Sequence, residues 1–248
     1  MSLASDLLCA ADEAAFARSL GLEPDPWQEL ALRSNHPRQL YNAARQTGKS
    51  TIVAVKALHR AKYHPGSLIL LLSPSLRQSG ELFRKVAGFY QWMAEAEPVE
   101  AETQLRLELK NGSRIVSLPG SETTVRGYSG ADLLIFDEAA RVEDSLYYTM
   151  RPMLAVSRGR LIALSTPFGT RGWWYEAWHS KDDWERFQVT AAECPRISPS
   201  FLEEERRNMG EWWFRQEYEC DFMSAQTQAF ARELVEALFD KEVETWDL

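Results

Sequence analysis

The stretch Ala43-Ala44-Arg45-Gln46-Thr47-Gly48-Lys49-Ser50 ends in the Gly-Lys-Ser signature of a phosphate-binding loop, with Ala43 where the commonest form carries glycine. In such a loop successive backbone N–H groups turn inward, and the N-terminus of the following helix adds its positive dipole end. Lys49 is then placed to reach the β- and γ-phosphates of ATP, and the Ser50 hydroxyl to ligate Mg²⁺. Gln46, Thr47, Gly48 and Thr51 complete the phosphate-binding turn. Arg45, a cation inside the loop that packing explains poorly, is a second candidate for phosphate contact.

A second constellation is Leu133-Leu134-Ile135-Phe136-Asp137-Glu138, an apolar run that ends in two carboxylates. Asp137 is suited to hold Mg²⁺, usually through water, and Glu138 to orient and deprotonate an attacking water. Acidic residues end many strands, so the pair takes its meaning from the phosphate loop about 90 residues earlier. Arg126, in Thr-Val-Arg-Gly-Tyr-Ser-Gly, reads as an arginine finger that steadies charge on a transferring phosphoryl group. The alternatives are a solvated arginine or a structural ion pair. Thr166, in Ser165-Thr166-Pro167, offers a hydroxyl to sense the γ-phosphate, or belongs to a capped turn. Trp27 and Gln28, behind Pro26, offer an aromatic face and an amide for adenine, unless Trp27 is core.

These groups need elements to carry them. Residues 4–20 show helical periodicity through Leu7, Leu8, Ala11, Ala14, Ala15 and Leu20, with Gly21 as a stop. A short helix is expected over Gln28–Leu32, a strand over Arg38–Ala43, and a helix over Thr51–Tyr63 ended by His64-Pro65-Gly66. Ser67–Leu72 is an uninterrupted apolar strand, as in a sheet covered on both faces, and Leu76–Trp92 is helical. Leu105–Leu109 and Arg114–Leu118 flank an Asn-Gly turn and predict a hairpin. Further strands are expected at Ala131–Phe136 and Leu161–Leu164.

Strands that alternate with helices imply an α/β fold with a mainly parallel sheet, in which ligands bind beyond the carboxyl ends of the strands. The phosphate loop, the Asp-Glu pair and the Ser-Thr-Pro turn all fall at such ends. Residues 1–168 are therefore expected to form a P-loop ATPase core. From about Gly169 tryptophans crowd into charged helical stretches, which predicts a small, mostly helical appendage leading to a linker over 169–248. Packing is the main reading of those tryptophans; stacking on bases beside Arg171 or Lys181 is the other.

Bulk properties narrow the class. The chain has 248 residues, 45% hydrophobic and 26% charged, enough to bury a sizeable core. It holds no apolar window long enough to span a membrane, and Met1-Ser2-Leu3-Ala4 does not begin a secretory signal. Cys9, Cys194 and Cys220 are odd in number and far apart, as reduced thiols would be. The four histidines share no ligand spacing with them, so no zinc site is expected. A net charge of −8 argues against non-specific coating of nucleic acid while leaving room for a local basic face.

Taken together, the motifs resemble the ATPase domain of the large terminase subunit, the DNA-packaging motor of tailed bacteriophages. The matching stretches are Pro26-Trp27-Gln28, Arg45 to Thr51, Thr124-Val125-Arg126-Gly127, Asp137 to Arg141, Ser165 to Gly169 and Trp213 to Tyr218, in the family's order. The resemblance implies an additional-strand, RecA-like ATPase fold with a small helical lid. It also implies a homo-oligomeric ring, a pentamer, acting on double-stranded DNA with a portal protein and a small terminase subunit. The setting would be the cytoplasm of the infected bacterial host, docked on the procapsid. By the same resemblance Gln28 recognises adenine, Lys49 and Ser50 hold phosphate and magnesium, and Glu138 is the catalytic carboxylate. Arg126 would reach the neighbouring subunit's ATP, and Thr166 would couple hydrolysis to movement.

Family members usually continue into a nuclease domain, and none is expected within these residues, which end at Leu248. The carboxylates Asp137 and Glu138 are thus not read as a nuclease site. A helicase-like ATPase is disfavoured because only about 80 residues follow Thr166, too few for a second RecA-like domain. A nucleotide-gated assembly module with little turnover is the other alternative, and Glu138 speaks against it.

Overall fold

A computed structural model describes residues 2–93, 96, 98–119 and 127–224. Its elements in chain order are α1 (Leu3–Ala11), α2 (Glu13–Ser19), α3 (Pro26–Arg33), β1 (Arg38–Ala43), α4 (Lys49–Tyr63), β2 (Leu68–Ser73) and α5 (Leu76–Trp92). They continue with β3 (Val99–Thr103), β4 (Arg106–Leu109), β5 (Arg114–Pro119), β6 (Leu133–Asp137), α6 (Asp144–Met150) and β7 (Arg160–Ser165). The last are α7 (Gly172–His179), β8 (Glu185–Val189), α8 (Pro199–Met209) and α9 (Glu211–Tyr218).

The strands form one eight-stranded sheet in the order β3-β4-β5-β2-β6-β7-β1-β8. From β5 to β8 every neighbouring pair is parallel, and β3, β4 and β5 pair antiparallel. Strands β2 and β6 are buried at every position, which is why they read as unbroken apolar runs. Alternate residues feed two cores. Tyr41, Ile69, Leu71, Ile135, Ile162 and Leu164 face the layer made by α1 to α5. Leu40, Leu70, Leu134, Phe136 and Ala163 face α6 and α7. The Asn-Gly hairpin forms as expected: Gly112 takes φ of 85°, and the Asn111 side chain accepts from Ser113 N at 2.9 Å.

Two local expectations are corrected. The helix expected over 4–20 is two helices, because Asp12 adopts extended backbone (φ −136°, ψ 108°) and its carboxylate caps α2 through Ala14 N. The stretch after Gly169 is not simply a helical appendage: Glu185–Val189 joins the main sheet as an edge strand parallel to β1. Phe187 of that strand packs edge-on against Tyr41, with ring centroids 5.3 Å apart. Trp173 and Trp174 are buried in the core under β6 and β7, where Trp173 stacks on Tyr147 at 3.9 Å. Packing explains both. Among the described residues no helix is long and apolar enough to cross a membrane.

A buried ion cluster ties the N-terminal helices to the sheet. Lys56 on α4, with a side chain 1% exposed, donates to Glu13 at 2.7 Å, and Arg160 at the start of β7 reaches the same carboxylate at 3.4 Å. Burial is the main effect lowering the Lys56 pKa, to about 8, while the Glu13 charge opposes it. Removing Glu13 strands a buried cation, so Glu13→Ala is expected to cost about 3–5 kcal/mol in urea unfolding near neutral pH. Without Glu13 the Lys56 pKa drops further below its unfolded value, so the variant regains stability as pH rises. The loss should therefore be larger at pH 6 than at pH 9. Equal losses at both would show that Lys56 is not the group left unpaired.

Candidate active site

The phosphate loop is a turn between β1 and α4 whose backbone enters the left-handed region at Gln46 (φ 63°) and Gly48 (φ 89°). Helix α4 begins at Lys49, and Thr51 N and Ile52 N donate back to the Gly48 carbonyl. The turn is held from inside by Thr47, whose hydroxyl donates to Ala44 O at 2.8 Å. It is held from outside through the Thr47 carbonyl, which accepts from Gln28 Nε2 at 2.9 Å and from Arg196 Nη2 at 3.2 Å. Gln28 and Arg196 are themselves fixed by Asp25: its backbone N–H donates to Gln28 Oε1, and its carboxylate pairs with Arg196 at 2.6 Å. Two features favour glycine at position 48. A Cβ there would sit 2.5 Å from Gln28 Nε2, and its φ is strained for an L-residue.

Across the sheet edge, β6 delivers Asp137 and Glu138. Ser50 Oγ lies 3.5 Å from Asp137 Oδ1, and Lys49 Nζ lies 3.9 Å from Glu138 Oε1. Glu138 has left-handed backbone (φ 51°, ψ 44°) at the start of a short 3₁₀ turn, and its N–H donates to Asp137 Oδ1 at 3.1 Å. Its other oxygen accepts from Arg141 Nη1 at 3.1 Å, and the Arg141 guanidinium lies over the Phe168 ring. Burial first, then the neighbouring Glu138 charge, raises the Asp137 pKa to about 6 against the opposing pull of Lys49. A hydroxyl and a buried carboxylate that is short of positive charge form an oxygen donor set suited to Mg²⁺, which uses few protein ligands and completes its shell with phosphate and water. Among the described residues no group of three or more His, Cys, Asp or Glu could hold a metal ion.

The remaining sequence candidates fall as follows. Arg45 pairs with Glu217 of α9, Nε to Oε2, at 2.6 Å. With exposed Gln46 it lines an open cleft of roughly 660 Å³, closed on the other side by Arg196, Phe201 and Tyr218. Both ends of the Gln28 amide bond within the protein. Trp27 packs half-buried against the core, edge-on to Tyr41, the role the sequence offered as the alternative to a base platform. Thr166 is buried at the end of β7, beside the P-loop strand. Thr51 lies in the first turn of α4. Arg126, with Thr124 and Val125, lies outside the described residues.

Four site residues had no role assigned from the sequence: Asp25, Arg141, Arg196 and Glu217. Asp25 was legible in principle, since Asp-Pro-Trp-Gln is a capping box with proline at the first helical position. Arg141 follows Glu138 by three residues, one helical turn away. Arg196 and Glu217 reach the loop only through tertiary folding and leave no local signal.

A phosphate cradle between β1 and the N-terminus of α4, facing Asp137 at the end of β6 on a mainly parallel sheet, defines a P-loop nucleotide-binding domain. Within that class the chain belongs to the family described as terminase large subunit, T4likevirus-type, N-terminal, whose model matches residues 40–237. Among its relatives, the large terminase subunit of Thermus virus P23-45 is 28% identical over 253 residues, covering 87% of this chain and 52% of the relative. The large terminase subunit of Escherichia phage T5 is 28% identical over 199 residues, covering 75% and 44%. The chain thus spans about half the length of the curated relatives it matches. The solved large terminase ATPase domain of Thermus phage P74-26 superposes with a TM-score of 0.75 at 25% identity, over 84% of this chain and 97% of that one. The large terminase of bacteriophage D6E with ADP shares the fold at 12% identity and a TM-score of 0.64, over 84% and 53%.

The raised Asp137 pKa carries a stability consequence. Its folded value of about 6 lies above the ordinary 3.8, so the folded protein keeps a proton that the unfolded chain gives up. Stability is highest below that window and falls as pH rises through it. At pH 7, without nucleotide and with a chelator present, Asp137→Asn should unfold about 1–3 kcal/mol later than the parent. At pH 4 the gap should close. A variant no more stable at pH 7 would show that the buried carboxylate is already compensated.

Proposed function

We propose that this chain is a magnesium-dependent ATPase, the motor part of a large terminase that drives double-stranded DNA into a viral capsid. The observation that carries the reading is the juxtaposition across one sheet edge of Lys49 with Glu138 and of Ser50 with Asp137. Family membership and the fold shared with terminase ATPase domains support the same reading. Backbone N–H groups of the loop and the α4 N-terminus cradle the phosphates, and Lys49 neutralises the β- and γ-phosphates. Ser50 and Asp137 hold Mg²⁺, which when bound supplies charge neutralisation at the phosphate oxygens.

Glu138 accepts a proton from the attacking water as the water's oxygen bonds to the γ-phosphorus and the bond to the ADP leaving oxygen breaks. Arg45 adds positive charge from within the loop. Arg126 acts as the finger on a neighbouring subunit's nucleotide, and Thr166 senses the γ-phosphate at the end of β7. Gln28 reads adenine with its remaining amide hydrogen while keeping its hold on the loop. The lid work falls to the helices after β8, and the partners are those of a packaging motor: a pentameric ring of this chain, a portal protein and a small terminase subunit. Its place is the host cytoplasm, docked on a procapsid.

Steady-state phosphate release with Mg²⁺ tests the enzymatic core. Lys49→Ala and Glu138→Ala should each lower turnover by about 100-fold or more, with Glu138→Ala still binding nucleotide. Turnover indifferent to both would sink the reading. Arg126→Ala should bind ATP without hydrolysing it, and mixing it with Glu138→Ala subunits should restore activity. Failure to restore activity at any mixing ratio, with subunits associated, would exclude a finger acting between subunits.

A further inference from the structure

We propose that Ser73, at the end of β2, is a positioning residue for Asp137: its hydroxyl donates to the second oxygen of that carboxylate when Mg²⁺ and nucleotide fill the site. The inference rests on the ATPase reading above. Ser73 closes the run Leu68-Ile69-Leu70-Leu71-Leu72, an apolar strand buried at every position. Its side chain is shut off from solvent (0% exposed), and its Oγ has no hydrogen-bond partner. An unpaired buried hydroxyl is destabilising where alanine would not be, so a serine in this place calls for a partner.

The sheet supplies one. Leu71 pairs in register with Ile135 and Leu72 with Phe136, so Ser73 and Asp137 come next along adjacent parallel strands. Side chains alternate along each strand. Leu71 and Ile135 face the layer of α1 to α5, and Leu72 and Phe136 the opposite layer. Ser73 and Asp137 therefore turn together to the α4 side, where Ser50 Oγ lies 3.5 Å from Asp137 Oδ1. On its other flank Ser73 is level with Pro119, which has no N–H to give and no polar side-chain atom. Ser165 ends β7 with an equally unpaired hydroxyl, but alternation puts it on the α6 and α7 side with Leu161 and Ala163.

Asp137 is held through one oxygen. Its Oδ1 accepts from Glu138 N at 3.1 Å and faces Ser50, while its Oδ2 makes no hydrogen bond among the described residues. A carboxylate fixed at one end swings about that point. Neighbouring strands lie about 4.8 Å apart, so small side-chain rotations bring the Ser73 hydroxyl to Oδ2. Active-site hydrogen bonds are often long without substrate and tighten when it binds. The Ser73 bond, from a neutral donor to a charged acceptor, is of the stronger kind. It leaves Oδ1 on the Ser50 side, where the two residues hold Mg²⁺, and it stops the swing. A lysine or arginine at position 73 would compete with Mg²⁺ for the carboxylate; a hydroxyl orients it and leaves its charge intact.

Ser73→Ala separates this role from packing. In the full chain with a chelator present, the variant should unfold at a midpoint no lower than the parent's, because an unpaired buried hydroxyl has gone. It should also bind a non-hydrolysable ATP analogue as the parent does under those conditions. With Mg²⁺ the same analogue should bind about tenfold more weakly than to the parent, the usual cost of losing a hydrogen bond behind a metal ligand. In an Asp137→Asn background, Ser73→Ala should change the Mg²⁺-dependent affinity no further. Affinity with Mg²⁺ equal to the parent's would overturn the proposal. So would a loss of equal size in chelator or in the Asp137→Asn background, or a clearly lower unfolding midpoint. If Ser73→Ala does not fold, Ser73→Cys keeps the shape with a weak donor and should weaken Mg²⁺-dependent binding in the same direction; unchanged binding overturns the proposal. A parent protein whose nucleotide binding ignores both Mg²⁺ and Asp137 would remove the ATPase reading itself. A parent that depends on both, with affinity indifferent to Ser73, would remove only this inference.

Discussion

A loop that offers its backbone N–H groups to a ligand cannot spend them on its own structure, and the carbonyl of Thr47 is where this protein makes up the deficit. Two side chains far apart in sequence, Gln28 and Arg196, donate to that one oxygen. Asp25 fixes both donors, so the start of α3, the turn after β8 and the phosphate loop lock together. The lock holds a turn that contains a non-glycine residue, Gln46, in left-handed backbone, a conformation that costs on the order of 1–3 kcal/mol. Helix α3 and the residue Arg196 are therefore parts of the nucleotide site even though neither belongs to the loop.

The catalytic edge is unbalanced in the opposite sense. Asp137 and Glu138 are consecutive carboxylates at the end of a fully buried strand, with Lys49 nearby and Arg141 on Glu138 alone. Burial first, and then the adjacent Glu138 charge, keep the Asp137 pKa elevated despite Lys49. Such a site gives up stability, the usual trade at sites where function requires unpaired charge. Glu217 shows the converse from the helices after β8: a buried anion kept in place by two arginines, Arg45 and Arg141.

How much of this was legible in the sequence follows from where each signal lies. Strand Arg38–Ala43 and helix Leu76–Trp92 have the bounds expected of them, since a buried strand and a long amphipathic helix write their periods plainly. Lys49, Ser50, Asp137 and Glu138 were readable because the phosphate loop and the strand-end carboxylates are local patterns, and the sheet then sets them side by side. Edge strands were not: β3 is mostly exposed and acidic, and β8 is only partly buried, so neither carries an apolar run. The break at Asp12 was hidden by helical periodicity on both sides of it. Arg196 and Glu217 act across 149 and 172 residues, distances at which a sequence holds no pattern to read.

Those long-range contacts also decide where the lid begins. A boundary at 168 separates α7 from the sheet, yet Trp173 and Trp174 are core residues packed with Phe136 and Tyr147, and β8 completes the sheet beyond them. The independent cluster starts later. Ala191, Phe214, Tyr218 and Cys220 pack with one another and with Ala44, the residue that opens the phosphate loop. At its far end the lid is stitched back to the same strand, where Asn42 Nδ2 donates to the Cys220 carbonyl at 2.9 Å. Helices α8 and α9 thus leave the core after β8 and return to it at β1, both times within reach of the loop. Helices anchored at these two points are tied directly to Asn42 and Ala44, the residues that lead into the phosphate loop.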